Sequence, residues 1–180
     1  QAVLSQSHLS FAAGVPTVTA QVINRGSSNF DSVYEINRGS KAGLAVGYPV
    51  VAAGGLVGTV SSVTAHDATI TVLTDPSFDA GVAIPHSSAV GVASGYGQGS
   101  PLHVADVPAG TAVARGEVLS TSGLQFEKFP PGIPVGRVLS VSTPTGSLQE
   151  SITLAPLVDP SQQAVVTVLI WSGQTPGGSG

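Results

Sequence analysis

The chain has 180 residues, a formal net charge of −4 and only 9% charged residues, against about 25% in soluble proteins generally. Its six Lys and Arg are scattered singly at positions 25, 38, 41, 115, 128 and 137, so no basic run offers the electrostatic footprint that nucleic-acid binding needs. Cysteine is absent, which excludes disulfides, a thiolate nucleophile and cysteine metal sites, and no apolar run reaches the roughly 18 residues of a membrane-spanning helix.

The apolar residues are mostly Val and Ala, and Gly (23) with Pro (13) make up a fifth of the chain. β-Branched residues fit a pleated sheet, and frequent Gly and Pro fit short strands joined by many turns. This length allows one domain or two small ones.

In chain order, residues 1–16 read as a short helix, a lead-in linker or the end of a coiled coil. Val18, Ala20 and Val22 alternate with polar residues, the period of a strand with one buried face. Arg25 to Asn29 form a turn, and Val33 to Asn37 a second strand stopped by Arg38 to Gly43. A hairpin is expected over 48–64 and a strand over Thr69 to Leu73, ended by Asp75-Pro76. Val82 to Ile84 is short. Residues 86–101 are rich in Gly and Ser, so the division between two units is placed there, with a first domain of 17–86 that terminal strands could complete and a second of 87–171. Leu102 to Val107, a second hairpin over 116–142, Ile152 to Leu154 and Val165 to Trp171 supply the remaining strands. Residues 172–180 read as a flexible tail. No stretch remains for crossover helices, so the class is all-β, as a sandwich or barrel.

The two hairpins are related. Val57-Gly58-Thr59-Val60-Ser61-Ser62-Val63-Thr64 returns 78 residues later as Val135-Gly136-Arg137-Val138-Leu139-Ser140-Val141-Ser142. Upstream, Gly47 to Gly54 aligns with Gly116 to Gly123 at an offset of 69. The nine-residue difference is a longer loop, 124–134, in the second copy. Gly54, Gly55, Gly58, Gly123, Gly132 and Gly136 are expected to serve the hairpin turns, where glycine tolerates positive φ.

Beyond the repeat, Tyr34-Glu35-Ile36-Asn37-Arg38-Gly39-Ser40-Lys41-Ala42-Gly43-Leu44, Gly54-Gly55-Leu56-Val57-Gly58-Thr59-Val60, Val72-Leu73-Thr74-Asp75-Pro76, Thr121-Ser122-Gly123 and Phe129-Pro130-Pro131-Gly132-Ile133-Pro134-Val135-Gly136-Arg137-Val138 occur in this order. The set resembles the extracytoplasmic core of the rod shape-determining MreC family, from about Ala20 to Leu169. Gly116-Glu117 stands where that family usually has Gly-Asp. The resemblance implies two small six-stranded-type β-barrel-like domains and no cofactor or catalytic activity. It implies a scaffold of the cell-wall elongation machinery that keeps rod cell shape by docking peptidoglycan synthesis enzymes. Implied partners are a second copy of the chain, a class B penicillin-binding protein, MreD and the MreB system. Family members have a short cytoplasmic tail, one membrane-spanning helix and a coiled coil before this core. The chain begins at Gln1 and is therefore expected to be a trimmed piece, anchored on the extracytoplasmic face of the membrane in its full-length form.

Candidate chemistry is sparse. The order His66, then Asp75, Asp79 or Asp106, then Ser122 mimics a chymotrypsin-like double-barrel protease. However, Ser122 lies in Thr-Ser-Gly-Leu and not in a loop whose amides would form an oxyanion hole. His66 falls at an expected turn, and only 56 residues separate it from Ser122. His8, His66, His86 and His103 show no metal-ligand spacing. The glycines at 54, 55 and 58 precede a strand, whereas a phosphate cradle precedes a helix. A secreted serine protease and an adhesin-like structural domain are the rival readings. The best binding candidate is the long second-copy loop. Its Phe126, Phe129 and Ile133 beside Pro130, Pro131 and Pro134 suit a stiff, apolar partner contact. The plainer alternative is that Phe126 and Phe129 plug the end of their own barrel.

Overall fold

The computed structural model describes residues 16–24, 33–52, 54–87, 89–97, 100–122, 132–143, 146, 148–159 and 162–170. The N-terminal helix or linker, Trp171 and the tail lie outside them. Twelve strands are formed: β1 (Thr17–Asn24), β2 (Val33–Ile36), β3 (Pro49–Ala52), β4 (Gly55–Val63), β5 (Ala68–Val72), β6 (Asp79–Ala83), β7 (Val90–Ser94), β8 (Leu102–Pro108), β9 (Val118–Thr121), β10 (Pro134–Ser142), β11 (Gln149–Pro156) and β12 (Val165–Leu169). A 3-10 turn, Ser40–Ala42, precedes β3 and ends at Gly43 with φ of 101°.

The strands close into two six-stranded antiparallel barrels, in the cyclic orders β1-β12-β3-β4-β5-β2 and β10-β11-β8-β7-β6-β9. Closure leaves neither sheet with an open edge, which a chain with few edge charges needs. The division expected within 86–101 is corrected by this topology. It falls between β5 and β6, and β12 returns from the second unit to the first. The second barrel is therefore inserted between β5 and β12, and the first and last of the described strands, β1 and β12, pair along Thr17–Gln21 and Val165–Leu169.

The 86–101 segment is no linker because it contains β7. Along β7, Gly91 and Ala93 point inward. A Cβ on Gly91 would lie 2.6 Å from Val107 Cγ2, so the small residues that resemble a linker are those the narrow interior admits.

Each pairing in the first barrel has a counterpart in the second once β12 is matched with β6. β12–β3, β3–β4, β4–β5, β5–β2, β2–β1 and β1–β12 correspond to β6–β9, β9–β10, β10–β11, β11–β8, β8–β7 and β7–β6. The repeated segments are β3–β4 and β9–β10. Gly47 N donates to Val60 O at 2.8 Å, and Gly116 N donates to Val138 O at 2.9 Å. Their register shifts coincide too, between Val60 and Ser62 in one copy and between Val138 and Ser140 in the other. Such bulges sharpen the local twist and bend that a small barrel requires.

Gly58 and Gly136 are likewise corrected from turn to strand positions. They sit inside β4 and β10, where a Cβ would come 2.1 Å from Thr71 O and 2.8 Å from Ala155 O respectively. They permit close strand approach. Gly54 (φ 105°) and Gly132 (φ 93°) occupy turns with positive φ, Gly55 is corrected to the first residue of β4, paired with Ala52, and Gly123 lies outside the described residues.

Tyr34, Ile36, Val50, Val57, Val60, Ile70 and Val168 fill the first barrel. Val51, Leu56, Leu73 and Leu169 leave that barrel outward and enter the buried cluster of the second, with Leu102, Leu119, Ile152 and Leu154. All four are 0% exposed. Full burial of each stabilises by about 1.5–3 kcal/mol. At the same seam Gly55 lies against the start of β10, where a Cβ would meet Pro134 O at 2.5 Å. The two barrels thus share one apolar seam.

Because of that seam, urea unfolding followed by near-UV and far-UV circular dichroism is expected to show one coincident transition. Leu56→Ala should lower stability by about 2–5 kcal/mol and keep the transition single. Two separated transitions in the unsubstituted chain would show that the barrels fold independently.

Candidate interaction site

The two copies of the hairpin differ most where the chain leaves the barrel. In the first, β3 ends at Ala52 and β4 begins at Gly55. In the second, β9 ends at Thr121 and β10 begins at Pro134. The stem of this longer loop is locked by one residue. Thr121 N donates to Ile133 O at 2.8 Å and Gly132 N donates to Thr121 O at 2.9 Å. The Thr121 hydroxyl in turn accepts from Ile133 N at 2.9 Å. Thr121 is 2% exposed and Ile133 0%, so a buried hydroxyl and an apolar anchor fix the base of the loop. The expectation that Ile133 meets a partner is corrected here, since its side chain belongs to the core of the second barrel. Phe126, Phe129, Pro130 and Pro131 lie outside the described residues.

The residues of the protease-like order serve separate local structures. His66 is exposed in the β4–β5 turn of the first barrel, a turn closed by Thr64 Oγ1 and Asp67 O at 3.1 Å. Asp75 Oδ1 accepts from Ser77 N at 2.7 Å in the segment linking the barrels. Asp79 opens β6. Asp106 adopts a φ of 69° in β8 and accepts from Gln149 Nε2 at 3.4 Å. Ser122 follows β9 in the second barrel, and its backbone N–H donates to Gly81 O at 2.9 Å. His66 and Ser122 therefore belong to different barrels. Among the described residues no group of three or more His, Asp or Glu could hold a metal ion.

Two carboxylates that sequence reasoning did not single out for structure organise turns of the second barrel. Glu117, at the Gly-Asp position of the family pattern, accepts from Ala114 N at 2.8 Å. Glu150 is buried and accepts from Gly110 N at 2.8 Å and from the Thr143 hydroxyl. The Thr143 hydroxyl, and then the Gly110 amide, hold its carboxyl below the usual glutamate range against the opposing effect of desolvation. Nothing in the sequence marks Glu150, because its partners lie seven and 40 residues away.

What the geometry defines is a carrier built of two closed shells that share one buried seam. The family model of rod shape-determining protein MreC, barrel core, matches residues 22–170, and the chain belongs to that family. A cell shape-determining protein MreC of Listeria monocytogenes is 30% identical over 156 residues, covering 84% of this chain and 52% of the relative. The chain thus spans about half the length of this curated relative. The crystal structure of MreC from Pseudomonas aeruginosa superposes with a TM-score of 0.79 at 26% identity, covering 85% of this chain and 98% of the other. A complex between penicillin-binding protein PBP2 and MreC from Helicobacter pylori contains the same fold, with a TM-score of 0.69 at 16% identity over 87% of this chain and 98% of that one.

Glu150 generates a pH prediction. Its folded-state pKa lies below its unfolded value, so its contribution is complete above the ordinary glutamate range and is lost as pH falls through the depressed value. Glu150→Gln should melt at a lower temperature than the parent at pH about 7, with the gap closing toward pH about 3. Melting curves across that range check it. A gap independent of pH would show that the ionised carboxylate is not the stabilising form.

Proposed function

We propose that this chain is the docking core of a non-catalytic scaffold of the cell-wall elongation machinery, which keeps rod cell shape by holding peptidoglycan synthesis enzymes in place. The observation that carries this reading is the match of both barrels, as one unit over residues 22–170, to the barrel core of MreC. The Helicobacter pylori complex, in which a protein of this fold is bound to PBP2, supports a class B penicillin-binding protein as the partner here. A second copy of the chain, MreD and the MreB system are further partners on the same family grounds. No helix among the described residues is long and apolar enough to cross a membrane. The proposed location is the extracytoplasmic face, with a single-pass anchor in the full-length protein.

The mechanism is geometric. A closed barrel changes shape little, so the strand ends that flank a loop are held in place, and holding them in advance lowers the entropy that binding loses. The β9–β10 loop suits this role because Thr121 and Ile133 clamp its stem. We assign the contact to Phe126, Phe129, Pro130 and Pro131, since aromatic side chains dominate interface cores.

The double substitution Phe126→Ser with Phe129→Ser should weaken binding of a purified class B penicillin-binding protein about tenfold or more, measured by surface plasmon resonance, with an unchanged melting temperature. A large fall in melting temperature would instead place the two rings inside their own barrel. A fluorophosphonate probe should leave Ser122 unlabelled, and labelling there would overturn the scaffold reading.

A further inference from the structure

One outer face of the molecule carries a row of polar side chains that the docking role does not use. Asp79 of β6 is paired with Ser94 of β7, and Ser94 with His103 of β8. Directly paired residues project on the same side of a sheet. Their neighbours Ala80, Ala93, Leu102 and Val104 are buried inside the barrel, so the row faces outward. Adjacent strands lie about 4.8 Å apart, so the row spans about 10 Å, the reach of two or three pyranose rings in an extended chain.

Both ends of the row carry further structure. Asp79 also lines a cleft of about 210 Å³ beside the linking segment, together with Thr59, Thr71 and Ser77. At the other end stands Tyr96. Its ring lies 4.0 Å from that of His103, centroid to centroid, at an interplanar angle of 40°, yet the residue is 60% exposed. The backbone on both sides of it is tied down, with Gly95 N donating to Phe78 O at 3.3 Å and Gly97 N to Thr74 O at 2.7 Å. Tyr96 is thus an aromatic surface held in position, not a loose loop tip.

We infer that this face binds a neutral oligosaccharide. Hydroxyls, a carboxylate and an imidazole offer both donors and acceptors to sugar hydroxyls, and a fixed aromatic ring offers a stacking surface to the apolar face of a pyranose. No Lys or Arg lies in the row or among the cleft residues, so a polyanion gains no charge pairing here. The inference is independent of the docking role, which places its contact on the β9–β10 loop.

The test is a titration of the 15N-labelled chain with cellotetraose and, separately, chitotetraose, followed by amide chemical shifts. At least one sugar is expected to shift the amides around Asp79, Ser94, Tyr96 and His103 and to saturate in the millimolar range. Tyr96→Ala should weaken that binding about fivefold or more, the scale of one lost stacking contact, while Tyr96→Phe retains it. Because Tyr96 is exposed, neither variant should change the melting temperature. Asp79→Asn should also weaken binding, and this second variant tests the row apart from the ring. Absence of shifts with both sugars, or shifts that Tyr96→Ala leaves unchanged, would overturn the inference. So would the same amides shifting when the protein alone is concentrated, which would assign the face to a second copy of the chain.

Discussion

The seam made by Val51, Leu56, Leu73 and Leu169 is the contact on which the architecture depends. A six-stranded barrel of this size encloses little apolar volume, and small domains bury too small a share of their surface to be very stable alone. Here the alternation of strand residues does double service. Val50 and Ala52 point into the first barrel while Val51, between them, enters the core of the second. One strand therefore contributes to two cores. The backbone meets just as closely where Gly55 touches Pro134.

The insertion of one barrel into the other follows from the same economy. The chain leaves the first barrel after β5 and comes back as β12, so two connections cross between the units. Both are packed at their ends. Leu73, just past β5, lies in the second cluster, and Val158, just past β11, lies in the first. Two covalent crossings and a buried seam restrict relative motion of the barrels more than one linker would. The strand ends that flank a loop on one shell are then held relative to surfaces on the other, as the proposed scaffold role requires.

Much of the fold was legible in the residues because strand chemistry is local. The alternation in β1, the β-branched runs of β5 and β12, and the duplicated Val-Gly-x-Val segment all report pleated, half-buried surfaces. What escaped was set by distant neighbours. Gly58 and Gly136 look like turn glycines until the opposing carbonyls of Thr71 and Ala155 are seen beside them. β7 looks like a linker because its small side chains answer to Val104 and Val107 on β8. The division between units was misplaced for the same reason, since nothing local says that β6 pairs with β7 and β9 of the second barrel. Of the candidate site, the loop was visible from its prolines and aromatics. Ile133, however, was assigned outward when its packing is inward, and Glu150 was invisible because its partners come from other turns. The pairing of Asp79, Ser94 and His103 likewise exists only once three strands are in register.

Rigidity between the shells is the claim that most needs a direct measurement. Residual dipolar couplings for backbone amides, collected for both barrels in one weakly aligned sample, measure it. The account predicts that couplings from β1–β5 with β12 and from β6–β11 fit a single alignment tensor. Two tensors of different magnitude or orientation would mean that the barrels reorient independently, and the shared seam would not hold them as one body.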